Sequence, residues 1–283
     1  MSFPLQFRRT TPGVLLAAFL LVLATVLVGS GQSSQAAALE AAAPAKAAKK
    51  PTVVLVHGAF ADASGWNDVT SRLQKQGYPV YAWSNPLRGL STDAAYLRDF
   101  LSTIKGKVIL VGHSYGGAVI TEASTGNKSV ESLVYVAAYA LAKGENVAAA
   151  NELGGGHSSV VENIVVRPYP GAPKGDGDAM VKPSKFHDIF AQDLPRSLTK
   201  VMGASQRPAA LSSLVIPAGE PGWKTIPSYF LVAKNDHLIP TKAQDAMAKR
   251  AGATTKRVAS SHVLMMTHPK VTADFIVRAD RQH

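Results

Sequence analysis

The stretch "KVILVGHSYGGAVITEAST", residues 107–125, constrains this chain more than any other. An apolar, β-branched run ends at Gly112, Ser114 follows after one histidine, and Gly116 and Gly117 open a segment with helical spacing. A buried strand therefore feeds a helix through a turn of very few residues. G-x-S-x-G in that setting is the pattern of a nucleophile elbow. The backbone bends so sharply that Cβ atoms two residues to either side of the serine would collide, and Gly117 lets the helix lie close to the sheet. A chance match in a loop would lack the strand before it and the helix after it. A serine hydroxyl is a weak nucleophile near neutral pH, so the turn does chemistry only if the chain also supplies a base and a group to hold that base.

The surrounding pattern repeats the strand-then-helix order. "TVVLVHG" (52–58), "YPVYAW" (78–83), "KVILVG" (107–112), "SLVYVAAY" (132–139), "SYFLVA" (228–233) and "TTKRVA" (254–259) read as strands. Between and after them, "WNDVTSRLQKQG", "STDAAYLRDFLSTI", "GAVITEAST", "TKAQDAMAKRAG" and "HPKVTADFIVRAD" have helical spacing. Ser91, Thr92 and Asp93 are capping candidates for the second of these helices, and Thr241 with Gln244 has the spacing of a capping box. Strands that are apolar throughout and alternate with helices predict an α/β fold, a mostly parallel sheet flanked by helices. In such sheets function gathers at the carboxyl ends of the strands. From about 141 to 215 the alternation is lost, leaving Gly- and Pro-rich stretches with helices expected in "KFHDIFAQDL" and "SLTKVMGAS". This segment is expected to be an inserted, largely helical cap over that edge. No internal repeat is visible.

The first 50 residues stand apart. Arg8 and Arg9 precede an apolar run over 14–28, and Ala36 and Ala38 follow in an A-x-A arrangement. This order predicts a signal peptide over 1–38, a linker over 39–50, and one domain over 51–283. As a helix the apolar run would span about 22 Å, short of the roughly 30 Å of a bilayer core. Export to the periplasm or the exterior is therefore expected, with an N-terminal membrane anchor as the alternative. The chain has 283 residues and a formal charge of +11. Five basic residues against Glu40 lie before residue 51, which leaves 25 basic and 18 acidic residues, or +7, for the domain. These charges are scattered without aromatic interleaving, the pattern of a solvated surface and not of a nucleic-acid site. No cysteine is present, so disulfides and thiolate chemistry are excluded. The histidines show no metal-ligand spacing, and neither metal nor organic cofactor is expected.

In an elbow of this kind the carboxylate and then the histidine come later in the chain, each just past a strand. Asp236 follows the strand at 228–233. The only other carboxylate between Trp223 and His262 is Asp245, inside a helical pattern. His262 lies just past the last strand, 26 residues after Asp236. His268 is its rival but precedes Pro269 at a helix start. His237 adjoins the acid, and side chains of adjacent loop residues diverge. For an oxyanion, one donor is the backbone N–H of Tyr115; the other belongs to the loop "HGAF", with Ala59 ahead of Phe60. His57 and His113 are expected to be structural. Phe186, Phe190, Met202, Trp223 and Met265 are candidates for an apolar pocket.

"VLVHGAFADASGW", "NPLRGL", "VGHSYGGAVI", "YVAAYA", "WKTIPSYFLVAKNDHLIP" and "SSHVLMMTHP" together resemble α/β-hydrolase fold proteins over about 52–280. They are most similar to the bacterial branch related to methyl-salicylate esterases and hydroxynitrile lyases. The resemblance implies a cofactor-free serine hydrolase with a helical cap, acting on a small-molecule ester. Roles carried over are Ser114 as nucleophile, His262 as base, Asp236 as acid, and the Ala59 and Tyr115 amides as oxyanion donors. Lyases of the branch carry threonine where Gly58 stands and lysine where Val263 stands, and these two departures argue against their reaction. Perhydrolysis, C–C or lactone cleavage by the same triad, and a non-catalytic ligand-binding role, are the other readings of such a fold.

Overall fold

The computed structural model describes residues 49–282. The signal peptide and most of the linker expected from the sequence lie outside the described residues. Six strands form one parallel sheet in the order β2-β1-β3-β4-β8-β9. These are β1 (Thr52–Val56), β2 (Val80–Trp83), β3 (Val108–Ser114), β4 (Val130–Ala138), β8 (Ser228–Ala233) and β9 (Thr254–Val258). Helices α1 (Asn67–Lys75), α2 (Leu90–Ser102), α3 (Tyr115–Ala123), α8 (Thr241–Arg250), α9 (Leu264–Thr267) and α10 (Pro269–Asp280) follow the strands in chain order. Each of the six strands lies where the sequence places one.

The two-residue period of a strand divides these apolar runs between two cores. Val53, Leu55, Ile109, Val111, Val134, Val136 and Leu231 share one core with Trp66, Val69 and Leu73 of the α1 region and Ile276 of α10. Val54, Val56, Leu110, Leu133, Tyr135, Phe230 and Val232 face the other way, toward Leu97 of α2, Val119 of α3 and Met247 of α8. Because both faces are covered, every residue of β1, β3 and β8 is buried. That is why these runs are apolar throughout rather than alternating.

The insertion between β4 and β8 carries α4 (Val147–Ala150), α5 (Pro183–Phe190), α6 (Arg196–Ser205) and α7 (Ser212–Val215). It also holds a three-stranded antiparallel sheet, β5 (Ile164–Arg167), β6 (Asp178–Val181) and β7 (Ala209–Ala210). This small sheet was not anticipated from the sequence. Its strands are short, β7 spans two residues, and none shows a clean apolar alternation. Among the described residues no helix is long and apolar enough to cross a membrane.

The sheet order fixes where loops converge. The chain leaves β1 toward the β2 edge and returns to β3 on the other side of β1, so the strand order reverses between β1 and β3. The crevice beyond their carboxyl ends is the expected place for a ligand. Both the "HGAF" loop after β1 and the elbow after β3 open there.

Candidate active site

At the end of β3, Ser114 adopts φ 54° and ψ −128°. A non-glycine residue held there stores about 1–3 kcal/mol of strain, which only a tightly packed surrounding sustains. The glycines supply that packing. A Cβ on Gly112 would lie 2.6 Å from Gly116 O, and one on Gly117 would lie 2.7 Å from the Ala138 Cβ. A Cβ on Gly116 would collide with Val56 O, where α3 passes the end of β1. The sharp turn leaves Tyr115 as the first residue of α3, where its N–H has no acceptor inside the helix. The Ala59 amide makes no backbone hydrogen bond among the described residues. Gly58 lies against the elbow as well: a Cβ there would stand 2.5 Å from the Ser114 Cβ.

Asp236 and His262 come together from the loops after β8 and β9. His262 Nδ1 donates to Asp236 Oδ2 at 2.8 Å, and both side chains are buried. Asp236 Oδ1 accepts the N–H groups of Leu238 (2.8 Å) and Ile239 (2.9 Å), and Oδ2 also accepts Gln244 Nε2 at 2.9 Å. Four donors thus converge on one carboxylate. Gln244 does not close the expected capping box. Its amide bridges Asp236 and the Ala233 N–H, while Thr241 turns to the carbonyls of Ala233 and Lys234. The opposite imidazole nitrogen, His262 Nε2, is buried and has no hydrogen-bond partner among the described residues. The Ser114–His262 bond is therefore not closed in this geometry.

The other histidines are placed differently. His113 Nε2 donates to the His262 carbonyl at 2.9 Å, and its ring centroid lies 4.5 Å from that of His262. Burial holds the His113 pKa well below its ordinary value, so the ring is a neutral support. His57 accepts the Asn85 N–H at Nε2 (3.0 Å) and donates from Nδ1 to Gly58 O (2.9 Å), which fixes its tautomer and ties the "HGAF" loop to the loop after β2. His237 is exposed and bonds the Asp188 carbonyl. His268 sits at the start of α10 and pairs with Thr267. Asp245 pairs with Arg257 on the surface.

Several supporting residues were not anticipated. Asp193, in the cap, accepts the Ser261 N–H at 2.7 Å and the Ser260 hydroxyl at 3.4 Å. Beside it, Gln192 bonds the Asn235 carbonyl, adjacent to the acid. Phe190 packs edge-on against His262 with centroids 5.0 Å apart. Asp93, a capping candidate in the sequence, does not take the N-cap position but reaches back to the backbone N–H groups at the start of α2. It is buried and accepts the Tyr115 hydroxyl at 2.8 Å and the Arg88 N–H at 3.0 Å, while Gly89 takes the N-cap position of α2.

Two cavities meet at Phe60, which has φ 63° and lines both. One, of about 40 Å³, is bounded by Ser114, Ala59, Tyr115, Tyr139, Val160 and Leu238. The other, of about 230 Å³, is bounded by Phe186, Phe190, Met202, Val263, Met265 and Met266, among others. Four of the five aromatic and methionine candidates line this second space. Trp223 does not: its Nε1 donates to the Leu141 carbonyl. No group of three or more metal-ligating side chains occurs among the described residues.

An elbow at the switch point of a parallel sheet, with loops from the last two strands beside it, defines a class. Over residues 53–275 the chain matches the alpha/beta hydrolase family, and it belongs to that family. An alpha/beta hydrolase of Aspergillus novofumigatus is 24% identical over 82% of this chain and 96% of its own length. A chloroplastic protein of Arabidopsis thaliana named as a methylesterase is 26% identical over 69% of this chain, which covers 48% of that relative. Among solved structures, a pyrethroid hydrolase from Sphingobium faniae superposes with a TM-score of 0.66 at 20% identity, covering 81% of this chain and 97% of that one. The fold class read from the sequence is thus shown, and relatives bearing hydrolase and esterase names surround it.

Proposed function

We propose that this alpha/beta hydrolase cleaves carboxylic esters of small molecules, with Ser114 as nucleophile, His262 as general base and Asp236 as the group that orients it. One observation carries the reading. The Asp236–His262 pair fixes the proton on Nδ1, which leaves a buried, unpartnered Nε2 on the loop that rests on His113, the neighbour of Ser114. Catalytic hydrogen bonds often close only when substrate is bound.

In the first step Ser114 Oγ attacks the ester carbonyl carbon while its proton passes to His262 Nε2. Negative charge builds on the carbonyl oxygen, where the Ala59 and Tyr115 amides receive it; each such donor is typically worth about 3–4 kcal/mol. The carbon–oxygen bond to the alcohol then breaks, and the proton on Nε2 goes to the departing alcohol. Water repeats the cycle on the acyl-enzyme: it gives its proton to Nε2, attacks the carbonyl, and Ser114 leaves with that proton. Asp236 stabilises the imidazolium at both stages and stays ionised.

Gly58 supports this reading over cyanohydrin cleavage. A threonine at that position would drive its Cβ into Ser114. We also propose export, on the basic, apolar and small-residue order of the first 38 residues. A mature protein that begins near residue 39 is the expected result of N-terminal mass analysis.

Labelling with a fluorophosphonate and mapping the modified peptide tests the nucleophile without knowledge of the substrate. Ser114 is expected to carry the label, and Ser114→Ala to lose about 10⁴–10⁶-fold in turnover of p-nitrophenyl acetate. Full activity in Ser114→Ala would sink the proposal.

A further inference from the structure

Phe60 stands between two unequal rooms, the smaller at Ser114 and the larger beside Phe190 and Val263, and we infer from their positions that the enzyme takes a small acyl group with a large, neutral, apolar alcohol. This inference rests on the esterase reading and adds the substrate class to it.

The assignment follows from where the proton must go. The leaving alcohol receives its proton from His262 Nε2, so the alcohol portion lies on the histidine side of the scissile bond. The larger cavity is the one on that side. Val263, the residue after His262, lines it, and so does Phe190, whose ring stands against the His262 imidazole. The smaller cavity borders Ser114 and Tyr115 and is lined by no residue adjacent to His262. It is left for the acyl group.

Size and chemistry then set the class. The acyl room, about 40 Å³, is several-fold smaller than the alcohol room, about 230 Å³. Tyr115, Tyr139, Val160 and Leu238 in its wall are buried, so on the core side it cannot widen without disturbing close packing, and Val161, Ile164 and Leu214 of the cap close its other side. An acetyl group suits it and a long chain does not. The alcohol room, about 230 Å³, presents three methionines, three phenylalanines and Val263. Methionine side chains are adaptable and fit varied apolar shapes. The polar residues in that wall are already engaged. Gln206 is bonded to Val181 and Gly203, and Asp62 holds Ser64. Asp62 is also a carboxylate, which disfavours an anionic alcohol portion.

The test uses the purified enzyme and two ester series. In the first the acyl group stays acetyl and the alcohol grows from ethyl to benzyl to 2-naphthylethyl. In the second the alcohol stays p-nitrophenol and the acid grows from acetyl to butyryl to octanoyl. We expect kcat/KM to rise at least tenfold along the first series and to fall at least tenfold along the second. Phe60→Ala joins the rooms and is expected to raise the octanoyl-to-acetyl ratio at least tenfold. Met202→Trp fills the alcohol room and is expected to lower the naphthylethyl-to-ethyl ratio by a similar factor. Octanoyl esters turned over as well as acetyl esters, or no gain with alcohol size, overturns the inference while Ser114 labelling leaves the esterase reading standing. An enzyme that neither labels at Ser114 nor hydrolyses any of the esters overturns both.

Discussion

The Tyr115 hydroxyl donates to Asp93 Oδ2 at 2.8 Å, joining the first residue of α3 to a buried carboxylate on α2. Burial raises the Asp93 pKa, and burial beside that carboxyl raises the tyrosine's as well. The bond anchors the side chain of the residue whose amide is proposed to meet the oxyanion. Tyr115→Phe strands one oxygen of Asp93, at about 1–3 kcal/mol of stability. It is also expected to lower kcat about tenfold with KM nearly unchanged, short of the 10²–10³ lost when an oxyanion donor is removed outright. Steady-state kinetics beside urea unfolding separate the two effects.

Gln244 offers a second lever. Gln244→Leu removes one donor from Asp236 and leaves the Ala233 N–H without its acceptor. A loss of about 1–3 kcal/mol in stability is expected, with lower kcat because Asp236 is held by one donor fewer. Gln244→Glu retains an acceptor for Ala233 but sets a carboxylate beside Asp236. Its activity is expected to fall below that of Gln244→Leu, which a kcat comparison at pH 7 decides.

His57 makes stability depend on pH. Burial, with a smaller contribution from Arg207, lowers its pKa from 6.5 to about 4 against the opposing effects of Gly58 and Asp62. Between those values the unfolded chain binds the proton and the folded chain does not, so stability falls as pH drops from about 6.5 toward about 4. The loss attributable to this residue is about 3 kcal/mol. His113 is shifted in the same direction and adds to it. Urea midpoints at pH 7.5 and pH 5 are expected to differ, and to differ less in His57→Gln. Equal pH dependence in the two proteins would remove His57 as the cause.

Gly58→Thr tests how closely the "HGAF" loop lies against the elbow. Its Cβ would meet the Ser114 Cβ at 2.5 Å and Oγ at 3.0 Å, so loop and elbow must part. Overpacking of this kind costs about 1–3 kcal/mol. A more than hundredfold loss of ester hydrolysis is expected, with no gain of cyanohydrin cleavage; release of cyanide from mandelonitrile checks the second point.

What the sequence made legible is what local sterics dictate. The glycines around Ser114 are required by contacts with their own turn and with the adjacent strand ends, so their spacing announces the elbow. The runs of β1, β3 and β8 are apolar because both faces of the sheet are covered. Asp93, Asp193 and Gln244 were not legible as supports, because their partners lie 22, 68 and 8 residues away. Each has an ordinary local reading: helix cap, loop acid, capping-box partner. The β5–β7 sheet escaped notice because its pairing arises between short segments of the cap and not from an amphipathic repeat.

The stretch from Asp188 to Asp193 links the cap to both the Asp236 loop and the His262 loop, through His237, Asn235, Ser260 and Ser261. A lid that swung away as a hinged door would tear out the moorings of Asp236 and His262 as it went. Opening of the cap at this stretch therefore breaks four hydrogen bonds to the loops that carry Asp236 and His262.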